Sequence, residues 1–155
     1  MPLGTAAFRN SRTHEAGVVE ISFHPRDLNL VASGSYDERL RLWDVRNMTR
    51  PTWESDKLGD GVWRVRWHPE VDGLMALAVM REPLQLWHAQ SGSAVKVGEY
   101  CTQRDEAEAE KAGTFLGYGI DWRRDVPASD CLASASFYDH SMHIWNGTYA
   151  SEPSE

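Results

Sequence analysis

The sequence has little of what marks a secreted, metal-binding or membrane protein. It contains only two cysteines, Cys101 and Cys131, and no Cys-x-x-Cys spacing, so neither a disulfide framework nor a zinc site is expected. No apolar run approaches the roughly 18 residues that a membrane-spanning helix needs, and the N-terminus lacks the apolar core of a signal peptide. We therefore expect a soluble, cytoplasmic chain that uses no metal and no other cofactor.

Basic residues are also scarce. The chain has 16 Lys and Arg against 23 Asp and Glu, which gives a formal net charge of −7. A basic patch of the kind that binds nucleic acid or an anionic membrane is therefore not expected. An acidic surface suits a basic partner, although it is also common among soluble proteins that bind none.

The apolar residues also show no helical periodicity. The sequence contains an internal repeat instead. The segment "GVVEISFHP" (Gly17 to Pro25) returns as "GVWRVRWHP" (Gly61 to Pro69) at an offset of 44 residues. A third copy begins at "GYGIDW" (Gly117 to Trp122) and ends at "MHIW" (Met142 to Trp145). Because this period and the terminal tryptophan are typical of one propeller blade, the chain resembles WD-repeat proteins.

The repeat predicts an all-β fold, a partial WD-repeat β-propeller of about three four-stranded blades. The blades are expected over residues 13–57, 58–103 and 114–147, after a lead-in at 1–12, with an insertion at 104–113 and a disordered tail at 148–155. Alternating apolar residues place Trp63, Val65 and Trp67 on one face of a strand. They predict strands near residues 18–23, 29–34, 39–44, 62–67, 74–79, 84–88, 117–122, 131–136 and 142–146.

Three blades are few for this architecture. Propellers close with about four to eight blades, and an open arc leaves two apolar faces in water. We therefore expect missing blades upstream of this chain. The alternative is a small arc that folds by itself.

The first copy holds the residues that form a buried network in WD repeats. A histidine, a serine, an aspartate and a tryptophan satisfy one another's polar groups in such a network. We interpret the matching residues as structural, and they are His14, Ser33, Asp37 and Trp43. In the second copy Leu58 replaces the histidine and Arg81 replaces the aspartate.

The third copy keeps only part of that network. It retains Ser134, Asp139 and Trp145, of which Trp145 is expected to be structural, but Gly113 stands at the place of the histidine. Asp139 therefore lacks the partner that Asp37 has. Its turn is also one residue longer than that of the first copy, which suggests that the turn is more than a scaffold.

Blade topology predicts that the unusual residues share one end of the molecule. The innermost strand of each blade starts at the end where the turn between the second and third strands lies. Trp63, Arg64 and Tyr118 open innermost strands, and residues 138–140 form such a turn. We therefore expect these residues at one mouth of the propeller, although core packing is an equally good interpretation of Trp63 alone.

Four segments carry a narrower resemblance over residues 13–146. They are "GSYDERLRLWDVRNM", "GVWRVRWHP", "YGIDW" and "ASFYDHSMHIW", and together they are similar to the C-terminal half of the diphthine methylesterase family. The resemblance implies hydrolysis of a methyl ester on methylated diphthine, a modified histidine of translation elongation factor 2, during diphthamide synthesis. A non-catalytic scaffold for protein–protein interaction remains the alternative.

Given that resemblance, the residues suggest roles. His140 is the candidate general base for water attack, Asp139 the group that orients it, and Arg64 the stabiliser of the developing oxyanion. The trimethylammonium of diphthine would lie against aromatic rings. The candidate rings are Trp63, Tyr118, Phe137 and Tyr138.

Overall fold

The computed structural model describes residues 6–100, 116–124 and 131–146, and these residues form three antiparallel sheets and no helix. The predicted insertion at 104–113 and tail at 148–155 lie outside the described residues. The first sheet contains β1 (Val18–Phe23), β2 (Leu30–Ser35), β3 (Leu40–Asp44) and β4 (Trp53–Glu54). The second contains β5 (Val62–Trp67), β6 (Leu74–Val79), β7 (Leu84–Gln90) and β8 (Ser93–Tyr100). The third contains β9 (Gly117–Trp122), β10 (Cys131–Ser136) and β11 (Met142–Asn146).

Within each sheet, strands that follow one another along the chain are also neighbours in space. We call the sheets blades one, two and three. The prediction of an all-β fold is confirmed, and every predicted strand is found with its ends shifted by at most two residues. The alternating pattern was sufficient for this because antiparallel blades of this kind are built from hairpins between sequence neighbours.

Each blade has two distinct faces. The front face carries the tryptophan of the third strand, which is Trp43, Trp87 or Trp145, and the back face lies on the other side of the sheet. The back of blade one packs on the front of blade two in one buried apolar cluster. That cluster includes Ala32, Leu40, Leu42, Val65, Trp67, Met75, Leu77 and Trp87.

Blade two packs on blade three in the same way. Its back face meets the front of blade three in a second buried cluster that includes Leu74, Ala76, Ala78, Leu84, Leu86, Ile120, Trp122 and Leu132. Both clusters consist of side chains that are almost fully removed from water, and at about 25 cal/mol per Å² of buried apolar area they dominate the stability of the arc. The three blades therefore form one continuous arc.

One end of the arc brings together the starts of the innermost strands and the turns between second and third strands. The amide of Tyr36 donates to the Gly17 carbonyl over 3.0 Å, and the amide of Met80 donates to the Gly61 carbonyl over 3.1 Å. The amide of Phe137 reaches the Leu116 carbonyl over 3.2 Å in blade three. We call this end the top rim.

The opposite end explains the repeated His-Pro pair. Nδ1 of His24 accepts hydrogen bonds from the amides of Arg26 and Asp27 at 3.2 and 2.9 Å, which closes the turn. The His24 ring also packs edge-on against Trp67 of the next blade, with ring centroids 4.7 Å apart. His68 repeats this contact with Trp122 at 4.6 Å. The pair therefore joins each blade to the next at the bottom.

Two further properties concern only the described part of the chain. It contains no helix that could span a membrane. It also contains no group of three His, Cys, Asp or Glu side chains placed to hold a metal ion.

A cavity of about 630 Å³ opens at the bottom between blades one and two.

Candidate active site on the top rim

The four network residues of blade one are joined by hydrogen bonds. Trp43 Nε1 donates to Ser33 Oγ over 2.8 Å, and the same hydroxyl lies 2.9 Å from His14 Nε2. His14 Nδ1 is 3.2 Å from Asp37 Oδ2. Burial, helped by the neighbouring charge of Arg41, lowers the pKa of His14. A neutral imidazole fits this site because charging it there would cost desolvation.

Arg41 is a fifth member of this network. Its side chain is only 2% exposed, and its guanidinium lies 2.7 Å from Asp37 Oδ2 and 2.5 Å from Glu54 Oε2. Burial alone would raise the pKa of Asp37, but hydrogen bonds from the Glu15 amide and Arg41 outweigh it and lower that pKa. The first blade is thus held by a buried ion pair in addition to the four residues.

The second blade satisfies its tryptophan differently. Trp87 Nε1 donates to Gln85 Oε1 over 2.9 Å, and Gln85 occupies the register position that Arg41 has in blade one. Arg81 pairs with Asp60 over 2.7 Å at the surface. In blade three, Trp145 Nε1 donates to Ser134 Oγ over 2.8 Å. The indole N–H of each third-strand tryptophan therefore has an acceptor, although the acceptor differs between blades.

A β-bulge near the start of each innermost strand displaces one residue toward the top rim. The registers skip one residue between Val18 and Glu20, between Val62 and Arg64, and between Gly117 and Gly119. The extra residues are Val19, Trp63 and Tyr118. Bulges re-aim side chains next to functional sites, and here they turn two aromatic rings onto the rim.

This bulge corrects one sequence-based expectation. Simple alternation placed Trp63 on the same face as Val65 and Trp67, but only the latter two lie in the buried cluster. At that point β5 advances by two residues, from Val62 to Arg64, while β6 advances by only one, from Val79 to Ala78. Trp63 is the extra residue and is therefore displaced. Alternation along a single strand carries no information about such a shift in pairing.

Five aromatic rings form a continuous row along the top rim of all three blades, and we call this row the aromatic strip. The centroid of Tyr36 is 5.3 Å from Trp63, and Trp63 is 4.8 Å from Tyr118. Tyr118 is 5.2 Å from Phe137, which is in turn 5.2 Å from Tyr138. The structure thus brings the four predicted ring residues together. Phe137 and Tyr138 are the most exposed, at 58% and 62%.

Arg64 lies beside the strip but is already engaged. Its guanidinium carbon is 5.9 Å from the Trp63 ring centroid, and Nη1 bonds Glu20 Oε2 over 3.1 Å. Arg66 bonds the other oxygen of Glu20 over 2.6 Å. Because one carboxylate is shared by two guanidinium groups, the trio keeps a net positive charge on the inner wall of the arc.

The turn at residues 138–140 closes in the same way as its counterpart in blade one. Asp139 Oδ1 accepts hydrogen bonds from the amide and hydroxyl of Ser141 at 3.2 and 2.9 Å. His140 follows with a φ of 56°, as Glu38 does with a φ of 69° in blade one. This oxygen of Asp139 therefore holds the turn. His140 is exposed and makes no hydrogen bond with any other described residue.

Two residues of the site were missed by sequence reasoning. Tyr36 begins the aromatic strip, and the shared Tyr-Asp pair at 36–37 and 138–139 was the signal that could have revealed it. A side chain at Gly61 would bring its Cβ within 3.1 Å of the Tyr36 ring, so glycine makes room for that ring. Glu20 carried no comparable signal, because it is 44 positions away from Arg64.

Comparison with known proteins agrees with this architecture. The family described as "WD domain, G-beta repeat" matches residues 8–44. A diphthine methyltransferase homolog of Dictyostelium discoideum is 33% identical over 84% of this chain and 35% of its own length. The human diphthine methyltransferase is 35% identical over 72% of this chain and 24% of its own length.

The chain belongs to the diphthine methyltransferase family of WD-repeat proteins. It spans about a third or less of the length of these relatives. The solved structure of U3-55K matches 87% of the chain and 37% of its own length, with a TM-score of 0.65 and 19% sequence identity, which supports the WD fold alone.

Proposed function

We propose that this chain supplies part of the substrate-binding rim of an esterase that hydrolyses the methyl ester of methylated diphthine on translation elongation factor 2. In that reaction water adds to the ester carbonyl, the bond to the methoxy group breaks, and methanol leaves with one proton of the water. The second proton goes to solvent, and the product is a carboxylate. The observation that carries the proposal is the aromatic strip.

The strip suits the permanent cation of such a substrate. A quaternary ammonium has no N–H to donate, so it is recognised by the faces of aromatic rings, at about 0.5–2 kcal/mol for each good contact. Arg64 already lies over Trp63, which leaves less of that ring for a second cation. Phe137 and Tyr138 are the most exposed rings, so this end of the strip is the better place for the trimethylammonium.

His140 is the general base in this proposal. It follows Tyr138 by two residues and is exposed, so its ring can accept a proton from an attacking water, as imidazoles do near neutral pH. Asp139 contributes by holding the turn through Ser141. Arg64 acts on the developing oxyanion through the net positive charge that it shares with Arg66 and Glu20.

The test is single-turnover release of methanol by a full-length family protein that contains these three blades. His140→Asn keeps a residue that tolerates a positive φ and removes the base, so we expect methanol release to fall by about 10²–10⁴-fold. His88→Asn, in blade two and away from the strip, is the matched control and is expected to be as active as the unaltered protein. Full activity of folded His140→Asn protein would remove His140 from the mechanism.

The ring contact is tested separately. Tyr138→Ala is expected to weaken substrate binding by about tenfold, in keeping with the loss of one good cation contact. Tyr138→Phe keeps the ring and is expected to bind normally. Equal weakening by both changes would point to the hydroxyl group instead of the ring face.

The same assay separates the other candidate functions. A methyltransferase would move the methyl group to an acceptor other than water and release no methanol. A non-catalytic scaffold would bind the elongation factor with the aromatic strip as its contact surface and would leave the ester intact. Either result with a folded protein would overturn the esterase proposal.

A further inference from the structure

Glu20, Arg64 and Gly119 occupy the same position in successive blades. Each is the first paired residue after the β-bulge of its innermost strand. Blade one thus places a carboxylate at this position, blade two a guanidinium and blade three no side chain. Glu20 binds Arg64 from the side of blade one, and Gly119 offers no competing side chain from the side of blade three.

The Glu20 carboxylate is anchored through both of its oxygens. Arg64 Nη1 donates to Oε2 over 3.1 Å, and Arg66 Nη1 donates to Oε1 over 2.6 Å. The Glu20 side chain is only 10% exposed, whereas those of Arg64 and Arg66 are 33% and 32% exposed. Because charge-assisted hydrogen bonds are short and directional, a largely buried carboxylate that accepts two of them is a fixed point on the inner wall of the arc.

The guanidinium of Arg64 is held through one nitrogen and is free at the other two. Its Nη1 also donates to the Trp63 carbonyl over 3.1 Å, and its central carbon lies 5.9 Å from the Trp63 ring centroid. Nε and Nη2 make no hydrogen bond with any described residue. Arg64 therefore presents free N–H donors from a fixed place beside the aromatic strip. Donors that are held in place in this way stabilise a developing negative charge without being reordered during the reaction.

Given the proposed function, on which this inference rests, we propose that Glu20 is a positioning residue. It holds the Arg64 guanidinium at the place where the oxyanion of ester hydrolysis develops. Without this anchor the long Arg64 side chain would sample many rotamers, so its donors would often be out of place. Misplacement of a reacting or stabilising group by about 1 Å can slow a reaction roughly 10²-fold.

Position and charge predict opposite effects of the change Glu20→Gln. The trio of Glu20, Arg64 and Arg66 carries a net charge of +1, and the change removes its only negative group. If the trio acted through its net charge alone, the greater positive charge would favour the oxyanion and speed the reaction. Positioning predicts a slower reaction, because a neutral amide holds a guanidinium less firmly than a carboxylate does.

The experiment measures kcat and KM for methanol release by a full-length family protein that contains these three blades. Glu20→Gln is expected to lower kcat by about 10–100-fold. It should leave KM unchanged, since the interaction with the oxyanion exists only in the transition state. Asp60→Asn is the matched control, because Asp60 is 16% exposed and pairs with Arg81 over 2.7 Å. Both constants are expected to keep their wild-type values in that control.

Two further variants separate position from charge and from folding. Glu20→Gln combined with Arg66→Met keeps the net charge of the unaltered trio but removes the anchor, so it is expected to be as slow as Glu20→Gln alone. In an Arg64→Ala background, Glu20→Gln is expected to cost no further activity, because Glu20 acts only through Arg64. Circular dichroism verifies the strands in each sample, and the double variant replaces Glu20→Gln should the single change lose them.

Several results would overturn the role of Glu20. A higher kcat for Glu20→Gln, or a wild-type kcat for the double variant, would mean that only the net charge acts. Equal losses with and without Arg64, or loss of the strands in both Glu20 variants, would make Glu20 a structural residue. A raised KM with unchanged kcat would assign it to ground-state binding. Full activity of Arg64→Ala would remove Arg64 and Glu20 from an esterase that still works, whereas a folded wild-type protein that releases no methanol would overturn the proposed function as well.

Discussion

Blades one and two share a fold and a register but hold their tryptophans by different means. In blade one the indole of Trp43 ends a chain of buried polar groups that runs through Ser33 and His14 to the Asp37–Arg41 ion pair. In blade two the indole of Trp87 meets only Gln85. The position of Ser33 is taken there by the fully buried Leu77. One blade thus buries charge and the other buries hydrocarbon.

The difference shows what a blade requires. The constant element is an acceptor for the indole N–H, because an unpaired buried donor costs about 1–3 kcal/mol. The aspartate, histidine and arginine of blade one form additional buried polar contacts. Removal of one of these residues leaves the others with fewer hydrogen-bond partners. The polar contacts of blade two contribute less to its stability, so the loss of one of them should also cost less.

The largest effect is expected for Asp37→Ala. The change leaves the guanidinium of Arg41 and the ring of His14 without their shared carboxylate in a site that excludes water. Breaking a buried ion pair from one side typically costs about 3 kcal/mol. Urea unfolding followed by tryptophan fluorescence measures the loss. A shift no larger than that of an exposed aspartate change such as Asp121→Ala would show that the network adds nothing.

A smaller loss is expected for Gln85→Leu. It removes the acceptor of Trp87 Nε1 but strands no charge, so the free energy of unfolding should fall by about 1–2 kcal/mol. Trp87→Phe supplies the control, because it removes the donor. In that background Gln85→Leu should cost clearly less. Equal costs in both backgrounds would mean that Gln85 stabilises blade two through some other contact.

The smallest effect is expected for Arg81→Ala. Arg81 stands at the place of Asp37 in the repeat, but its side chain is 65% exposed and pairs with Asp60 at the surface. Exposed pairs of this kind contribute little because water and salt screen them. The urea midpoint should not move measurably. A loss as large as that of Asp37→Ala would show that the two blades had been aligned wrongly.

Most of the fold followed from local signals. Several strands alternate apolar and polar residues, and the same spacing returns after 44 residues, so the strands and their order could be predicted from single segments. The site was predicted less completely. Topology placed the turn of Tyr138 at the top rim, whereas Tyr36, in the matching turn of blade one, was not assigned to the site although that turn repeats the Tyr-Asp pair.

The roles of Arg64 and Asp139 could not have been predicted in the same way. Arg64 looked like a free cation, but Glu20 of the neighbouring blade binds it. Asp139 looked like a partner for a histidine, but one of its oxygens holds Ser141. A cross-blade ion pair and a turn hydrogen bond depend on which side chains meet after folding.

The sequence by itself determined the blades, because hairpin strands and their turns depend on residues that are close along the chain. Only the tertiary structure decided the aromatic strip. A bulge in β5 turns Trp63 out of the core face, and the packing of three separate blades then brings its ring to Tyr36 and Tyr118. The physical reason is distance along the chain: these rings are far apart in sequence, and only the stacking of apolar blade faces places Tyr36 and Tyr118 within 5.3 Å of Trp63.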